Sequence, residues 1–173
     1  MKIFTIIVLI LFAATSVFAQ TTEKKSKKQL KAEQKALKIQ LIKDLVDNKT
    51  FIFKATSVIP KNEKTRSLTT DFGIEVKNDS VFSYMPYFGN TYSRDYTSFK
   101  DSPLGFMQPF ESYKKTKTRS GYDVDIRVDN NHDIIDLAFH ISKNGTASLT
   151  ASSINRQAIS YMGEILAPAT KEK

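Results

Sequence analysis

The chain has 173 residues, a formal net charge of +8 and no cysteine. This length is enough for one domain with a hydrophobic core and too short for two domains of ordinary size. The lack of cysteine excludes disulfides, so a stable fold must depend on the burial of apolar side chains.

Residues 1–19 have the features of a cleaved secretory signal. Lys2 gives a positive start, residues 3–12 form an apolar run, and Ala19 is a small residue before the expected cleavage point. The run is too short for a stable membrane span, and no cysteine follows that could carry a lipid anchor. We therefore expect an exported protein, periplasmic or secreted, that begins at Gln20, does not span a membrane and is not a lipoprotein.

Residues 20–49 predict a basic helical segment, with a helix over about 24–47 that packs on the domain from Ala36 onward. Apolar residues recur there at helical spacing. They are Leu30, Leu37, Ile39, Leu41, Ile42, Leu45 and Val46.

Most of the net charge lies in the same segment, where seven lysines fall between positions 24 and 38. Charge confined to one segment does not indicate a nucleic-acid-binding face, and we predict no nucleic-acid partner. Two interpretations of the lysines stay open. Lys24–Lys38 contact an anionic envelope surface, or they form a solubilising lead-in to the domain.

Residues 50–167 predict one antiparallel β-domain. Apolar and polar residues alternate in several segments, which is typical of strands with one buried and one exposed face. Asn144-Gly145 favours a two-residue hairpin turn in which both residues have positive φ. We expect a mainly β (α+β) protein, in which the helix precedes an antiparallel meander of about eight strands, closed as a barrel or a sandwich. Residues 168–173 are expected to form a disordered tail.

The stretch from Phe82 to Tyr113 breaks this alternation and holds ten of the nineteen aromatic residues. A long irregular connection of this kind is often functional. Two interpretations of its rings stay open. In the first they form a rigid lip that binds a sugar or a peptide, and in the second they plug one end of the domain. Arg156 binds an anionic group, or it pairs with an acid or with loop carbonyls. The candidate ligand-binding residues are Tyr87, Phe88, Tyr92, Arg94, Tyr96 and Arg156.

Motifs for catalysis, metals and cofactors are missing from the sequence. It contains no G-x-S-x-G, no phosphate loop and no dinucleotide fingerprint. His132 and His140 have no cysteine to complete a zinc site. We therefore predict no catalytic residue, no metal and no cofactor. Five aspartates lack calcium-loop spacing and are expected on a solvated face: Asp123, Asp125, Asp129, Asp133 and Asp136.

Four segments together resemble one family. They are Asn78-Asp79-Ser80-Val81, Tyr84-Met85-Pro86-Tyr87-Phe88-Gly89, Asn144-Gly145, and the run from Ser153 to Gly163. They resemble the exported bacterial family called domain of unknown function 4251, over residues 35–167. The resemblance implies an exported, β-rich domain and supplies no activity, cofactor or site residue.

These observations predict a non-enzymatic binding or interaction module of the cell envelope. Its partner would be a small molecule, a glycan or an envelope protein. The alternative is a hydrolase that acts on an envelope or dietary glycan or peptide. A roomy interior lined by the aromatic residues of 82–113 would indicate a ligand carrier, whereas a filled interior would indicate that the outer surface is functional.

Overall fold

The computed structural model describes residues 26–61, 64–88, 102–130 and 133–168. The predicted signal segment and most of the predicted tail lie outside these ranges. The described residues form one helix and nine strands. They are α1 (Lys27–Asp47), β1 (Thr50–Ile59), β2 (Arg66–Ser67), β3 (Gly73–Lys77), β4 (Ser80–Tyr84), β5 (Gly105–Lys117), β6 (Gly121–Asp129), β7 (Ile134–Ser142), β8 (Thr146–Ser153) and β9 (Arg156–Leu166).

The strands form an antiparallel barrel. Each strand from β3 to β8 pairs with the next along the chain, β1 pairs with β3, and β9 returns to pair with β1. Eight strands therefore close the barrel, and the short strand β2 adds to β1 beside β3. The prediction of a helix followed by an antiparallel meander of about eight strands is confirmed, and the closure is that of a barrel.

Apolar side chains fill the interior of this barrel. Phe51 and Phe53 on β1 each meet the ring of Phe139 on β7 edge-on, with ring centroids 5.7 Å apart. Tyr161 on β9 is fully buried beside them in the same core cluster. Eight strands enclose just enough space for side chains to fill.

The turn between β7 and β8 differs from the expected one. Gly145 has φ +88°, but Asn144 is not among the described residues with positive φ. The amide of Gly145 donates to the carbonyl of Ser142 over 2.9 Å. The hairpin therefore turns through Ser142–Gly145 with a left-handed glycine at its end, and the expectation of positive φ at both residues was wrong.

Helix α1 begins with a capping box and ends on the barrel. The amide of Ser26 donates to Gln29 Oε1 over 2.8 Å, and the amide of Gln29 donates to Ser26 Oγ over 3.3 Å. The compact unit to which the barrel belongs starts at Gln34. Within it, the buried residues of the helix are Ile42, Leu45 and Val46.

Contact between the helix and the barrel begins close to the predicted Ala36, because Lys38 lies beside the β7–β8 turn and Ile39 is half-buried. Leu37 and Leu41 are 65% and 47% exposed, so they lie on a face that the barrel does not cover. Ile42 instead packs beside the β7–β8 turn, where a Cβ on Gly145 would lie 3.1 Å from its Cδ1. The described part of the chain contains no helix with the length and hydropathy of a membrane span.

Candidate functional site

Half of the six predicted site residues can be placed. Tyr87 and Phe88 follow β4, and Arg156 is the first residue of β9. Tyr92, Arg94 and Tyr96 lie outside the described residues. Tyr87 and Arg156 line the same small cavity, whose volume of about 10 Å³ is room for about one water molecule. This cavity is too small for a sugar or a peptide.

The two aromatic side chains after β4 have partners within the protein. The half-buried Tyr87 donates its hydroxyl to the carbonyl of Gln157 over 2.8 Å. The ring of Phe88 lies 5.2 Å from the guanidinium carbon of Arg66. These contacts attach the segment after β4 to the start of β9 and to β2, which favours the interpretation that the rings plug the barrel.

Tyr161 strengthens the same attachment from inside the barrel. Its hydroxyl donates to the carbonyl of Pro86 over 2.5 Å. Burial, and to a lesser extent the nearby Tyr87, raises the pKa of Tyr161 well above its ordinary value. The neutral hydroxyl is therefore kept as a donor that holds the segment after β4 in place.

Arg156 forms a buried ion pair with Asp133. Their side chains are each 3% exposed, and Arg156 Nη2 lies 2.7 Å from Asp133 Oδ2, although the two atoms are not aligned as a hydrogen bond. Arg156 Nη1 donates to the carbonyl of Pro103 over 3.2 Å. Asn155 Nδ2 donates to Asp133 Oδ1 over 3.1 Å. The cluster joins the β6–β7 turn, the β8–β9 turn and the segment before β5.

This burial corrects one prediction. Asp133 was expected on a solvated face, but it is only 2% exposed and lies two positions before Ile135, on the inward side of the β7 alternation. The other aspartates of that set do lie outside the barrel. Arg127, for example, holds Asp136 through two hydrogen bonds of 2.8 and 3.0 Å across β6 and β7. Alternation identified the outward residues inside strands, and its continuation from Leu137 and Ile135 back to position 133 marks Asp133 as inward.

Pairing of the strands also produces an arrangement that the sequence did not reveal. Asp123 on β6 lies opposite His140 on β7, and His140 lies opposite Ser148 on β8. His140 Nδ1 is 2.5 Å from Asp123 Oδ1. These are the residue types of a Ser-His-Asp triad, but no hydrogen bond joins the described side chains of His140 and Ser148. Only the register brings the three residues into one row, since 25 positions separate the first from the last along the chain.

The described residues form no candidate metal site. They contain no group of three or more His, Asp or Glu side chains placed to hold an ion. His132 lies outside these ranges.

The outer face of β3, β4 and β5 carries large apolar side chains. Phe82 is 51% exposed, Tyr84 56% and Met107 71%. Phe82 and Met107 are direct partners across β4 and β5, and the ring of Phe72 lies 5.4 Å from that of Tyr84. We call these four residues the outer apolar patch. Sequence reasoning assigned them to the irregular aromatic stretch or to a strand, because apolar residues on both faces of β4 hide its alternation.

A shallow groove of about 350 Å³ borders the outer apolar patch. Its charged lining comes from Glu75, Lys77 and Asp79, and Phe82 and Met107 form its apolar wall. Phe82 and Met107 belong to a row of cross-strand partners. This row continues through Glu75 on β3 to Ile52 on β1 and Leu166 on β9. Five neighbouring strands span about 19 Å, so this face has the width of a small protein contact.

The comparisons with known proteins agree with this fold. The model of the family described as "Domain of unknown function (DUF4251)" matches residues 33–165. A crystal structure of a DUF4251 family protein from Bacteroides eggerthii superimposes with a TM-score of 0.58 at 13% sequence identity, over 76% of this chain and 89% of that chain. No protein with a curated description matches the chain. At this identity the likeness concerns the fold alone.

Proposed function

The chain belongs to the DUF4251 family, and we propose that it is an exported, non-enzymatic interaction module that binds a protein on the outer face of its barrel. The observation that carries this proposal is the contrast between the two sides of β4. Inside, the barrel is filled by its own side chains. Outside, Phe82, Tyr84 and Met107 are each more than half exposed.

The filled interior argues against a carrier of small molecules. Ligand pockets usually have volumes of about 300–1,000 Å³. The cavity between Tyr87 and Arg156 has about 10 Å³. A small ligand would have to displace core side chains such as Leu104 or Ile135, which line that cavity and are buried. The outer surface is therefore the better candidate for binding.

The outer apolar patch suits a protein partner. Aromatic residues and methionine are enriched in the cores of protein interfaces, where they supply contact area without charge. Lys77 and Asp79 at the edge of the groove would form a polar rim around that core.

Photo-cross-linking in cells that produce the protein tests this proposal. A photoreactive phenylalanine analogue at Phe82 or at Met107 should give one discrete adduct with another protein. The same analogue at Asp125, an exposed position on the outer face of β6, is the matched control and should give none. Equal adducts from all three positions, or none from the first two, would refute the proposal.

The proposed location rests on the sequence of residues 1–19. Cells that produce the full chain should place it outside the cytoplasm, and the exported form should begin at Gln20. A chain without residues 1–19 should stay in the cytoplasm. An exported form that keeps Met1 would contradict the proposed cleavage.

Electrostatic contact with an anionic envelope surface is a further part of the proposal. The described lysines between 27 and 38 are all exposed. Binding to vesicles that contain anionic lipid should then fall steeply as salt is added, because salt screens exposed charges. Vesicles of neutral lipid serve as the control, and equal binding to both kinds would contradict this contact.

One observation favours a hydrolase as the second candidate. Asp123, His140 and Ser148 stand in one cross-strand row, and Asp123 already contacts His140. The purified protein should be assayed on peptides, esters and glycans. Turnover that is lost in both His140→Ala and Ser148→Ala but kept in Thr150→Ala would establish this function in place of the first.

A further inference from the structure

We propose that the protein bound by the outer apolar patch places a positively charged side chain on Glu75, with apolar side chains on either side of that charge. This inference rests on the proposed function and adds the chemistry of the partner's contact surface. Glu75 is half-buried on the outer face of β3. It lies directly opposite Phe82 on β4 and directly opposite Ile52 on β1. A single carboxylate therefore interrupts a row of apolar side chains.

The carboxylate of Glu75 has no partner among the described residues. Neighbouring charges on the same face are engaged elsewhere, since Lys54 Nζ lies 2.7 Å from Asp71 Oδ1. Within the described ranges, no ion pair or hydrogen bond reaches Glu75. In the free protein, contact with water is therefore what stabilises this charge.

A partner that covers the outer apolar patch would remove that water. Glu75 lines the same groove as Phe82 and Met107, so a protein seated on these two side chains also covers the carboxylate. A charge that loses its water is strongly unfavourable unless an opposite charge and hydrogen bonds replace it. A partner that is apolar throughout would therefore bind poorly, and one with a cation opposite Glu75 would bind well.

An arginine meets this requirement better than a lysine. Its planar guanidinium donates two parallel hydrogen bonds to one carboxylate and also stacks on an aromatic face. Phe82, beside Glu75 and 51% exposed, supplies such a face. Arginine is also enriched at protein interfaces, where lysine is depleted. The partner segment that we infer therefore carries an arginine between two apolar side chains, one towards Met107 and one towards Ile52.

Lys77 is the competing source of positive charge. It lies two positions beyond Glu75 on the same face of β3 and is exposed. The two side chains form no described ion pair. To neutralise Glu75 under a partner, the lysine would have to lose its rotamer freedom and its own hydration. If the partner supplies the cation instead, Lys77 repels that cation, so its removal has the opposite effect from the removal of Glu75.

Charge-neutral variants combined with photo-cross-linking in producing cells test this contact. The photoreactive analogue is placed at Met107, which leaves both Glu75 and Phe82 intact, and the adduct is measured relative to the exported protein. Glu75→Gln should reduce the adduct at least about fivefold, because truncated charge pairs at interfaces are costly. Lys77→Gln should keep or increase it. Asp125→Asn removes an equal charge from the outer face of β6 and is the matched control, which should leave the adduct unaltered.

Thermal melting of Glu75→Gln should equal that of the natural protein, since no described contact is lost. A lower adduct at unchanged stability then reports on binding alone.

Three results would overturn the inference while the proposed function stands. They are an adduct that is unaltered in Glu75→Gln, an equal reduction in Glu75→Gln and Lys77→Gln, and an equal reduction in Glu75→Gln and Asp125→Asn. The second would show that the chain neutralises its own carboxylate, and the third that only net charge matters. Absence of any adduct from Met107 and from Phe82 in the otherwise natural chain would instead refute the proposed function, and this inference with it.

Discussion

Removal of Asp133 should strongly destabilise the protein, because Arg156 would stay buried without its charge partner. In Asp133→Ala the guanidinium, 3% exposed, would keep the carbonyl of Pro103 as its described acceptor. Breaking a buried ion pair from one side typically costs about 3–5 kcal/mol. The imperfect alignment of the pair places our estimate near the lower value, at about 3 kcal/mol. Domains of this size have a free energy of unfolding of about 5–15 kcal/mol, so the change removes a large part of it.

The double variant Asp133→Leu/Arg156→Met separates the ion pair from other causes. It removes both charges, together with the hydrogen bonds that Arg156 donates to the carbonyl of Pro103 and that Asn155 Nδ2 donates to Asp133. We expect it to lose only about 1–3 kcal/mol, so it should be more stable than Asp133→Ala.

Urea denaturation followed by far-ultraviolet circular dichroism measures both variants. A loss below about 1 kcal/mol in Asp133→Ala would refute the reasoning, since surface ion pairs have such values.

Three further predictions concern the pairing of β1 with β9 and the titration of Asp47 and Tyr161. Gly163→Ala would place a Cβ 2.1 Å from the carbonyl oxygen of Lys54 on the neighbouring strand, so we expect the free energy of unfolding to fall by about 1–3 kcal/mol or more. Thermal melting measures this change, and an unchanged melting temperature would refute it. Hydrogen bonds from Lys115, and then from Lys43, lower the pKa of Asp47, so this carboxylate stabilises the fold above its unfolded pKa and the gain disappears as the pH falls through its folded pKa. Asp47→Asn should therefore flatten the acid side of the stability profile, by less than about 1 kcal/mol because the three side chains are partly exposed, and an unaltered profile would contradict the assignment. Burial raises the pKa of Tyr161, so the stability that its neutral hydroxyl contributes is present below the unfolded pKa and is lost as the pH rises towards the folded pKa. Tyr161→Phe should therefore lower the free energy of unfolding by about 1–2 kcal/mol at neutral pH and reduce the loss of stability at alkaline pH. An equal alkaline loss in the variant and the natural protein would refute this assignment.

The sequence by itself determined the class of fold. Alternation with a period of two, as in residues 122–129, is a local property of a strand with one face in water. The capping box at Ser26 and the glycine at 145 are local as well, because each satisfies a backbone requirement within a few residues. The helix was predicted from the helical spacing of apolar residues between Leu30 and Val46, and the antiparallel meander from the period-two alternation; the capping box was not part of that prediction.

Local patterns could predict less of the candidate site. Tyr87 and Arg156 were identified as notable residues, but whether they serve packing or binding depends on what lies beside them in space. Asp133 and Arg156 are 23 positions apart, and their contact follows from the meeting of two turns at one end of the barrel. Alternation carried back from Ile135 places Asp133 on the inward side, but only the meeting of the turns supplies the partner that allows its charge to be buried.

Tertiary structure alone decided the closure of the sheet and the composition of its surfaces. The pairing of β1 with β9 joins residues such as Phe53 and Ile165, more than a hundred positions apart, and no local pattern specifies that register. The pairing of β4 with β5 makes Phe82 and Met107 neighbours outside the barrel, and the way in which the helix packs leaves Leu37 exposed. Periodicity depends on a residue and its nearest neighbours, whereas burial depends on which distant strand arrives beside it, and only the closed barrel supplies that information.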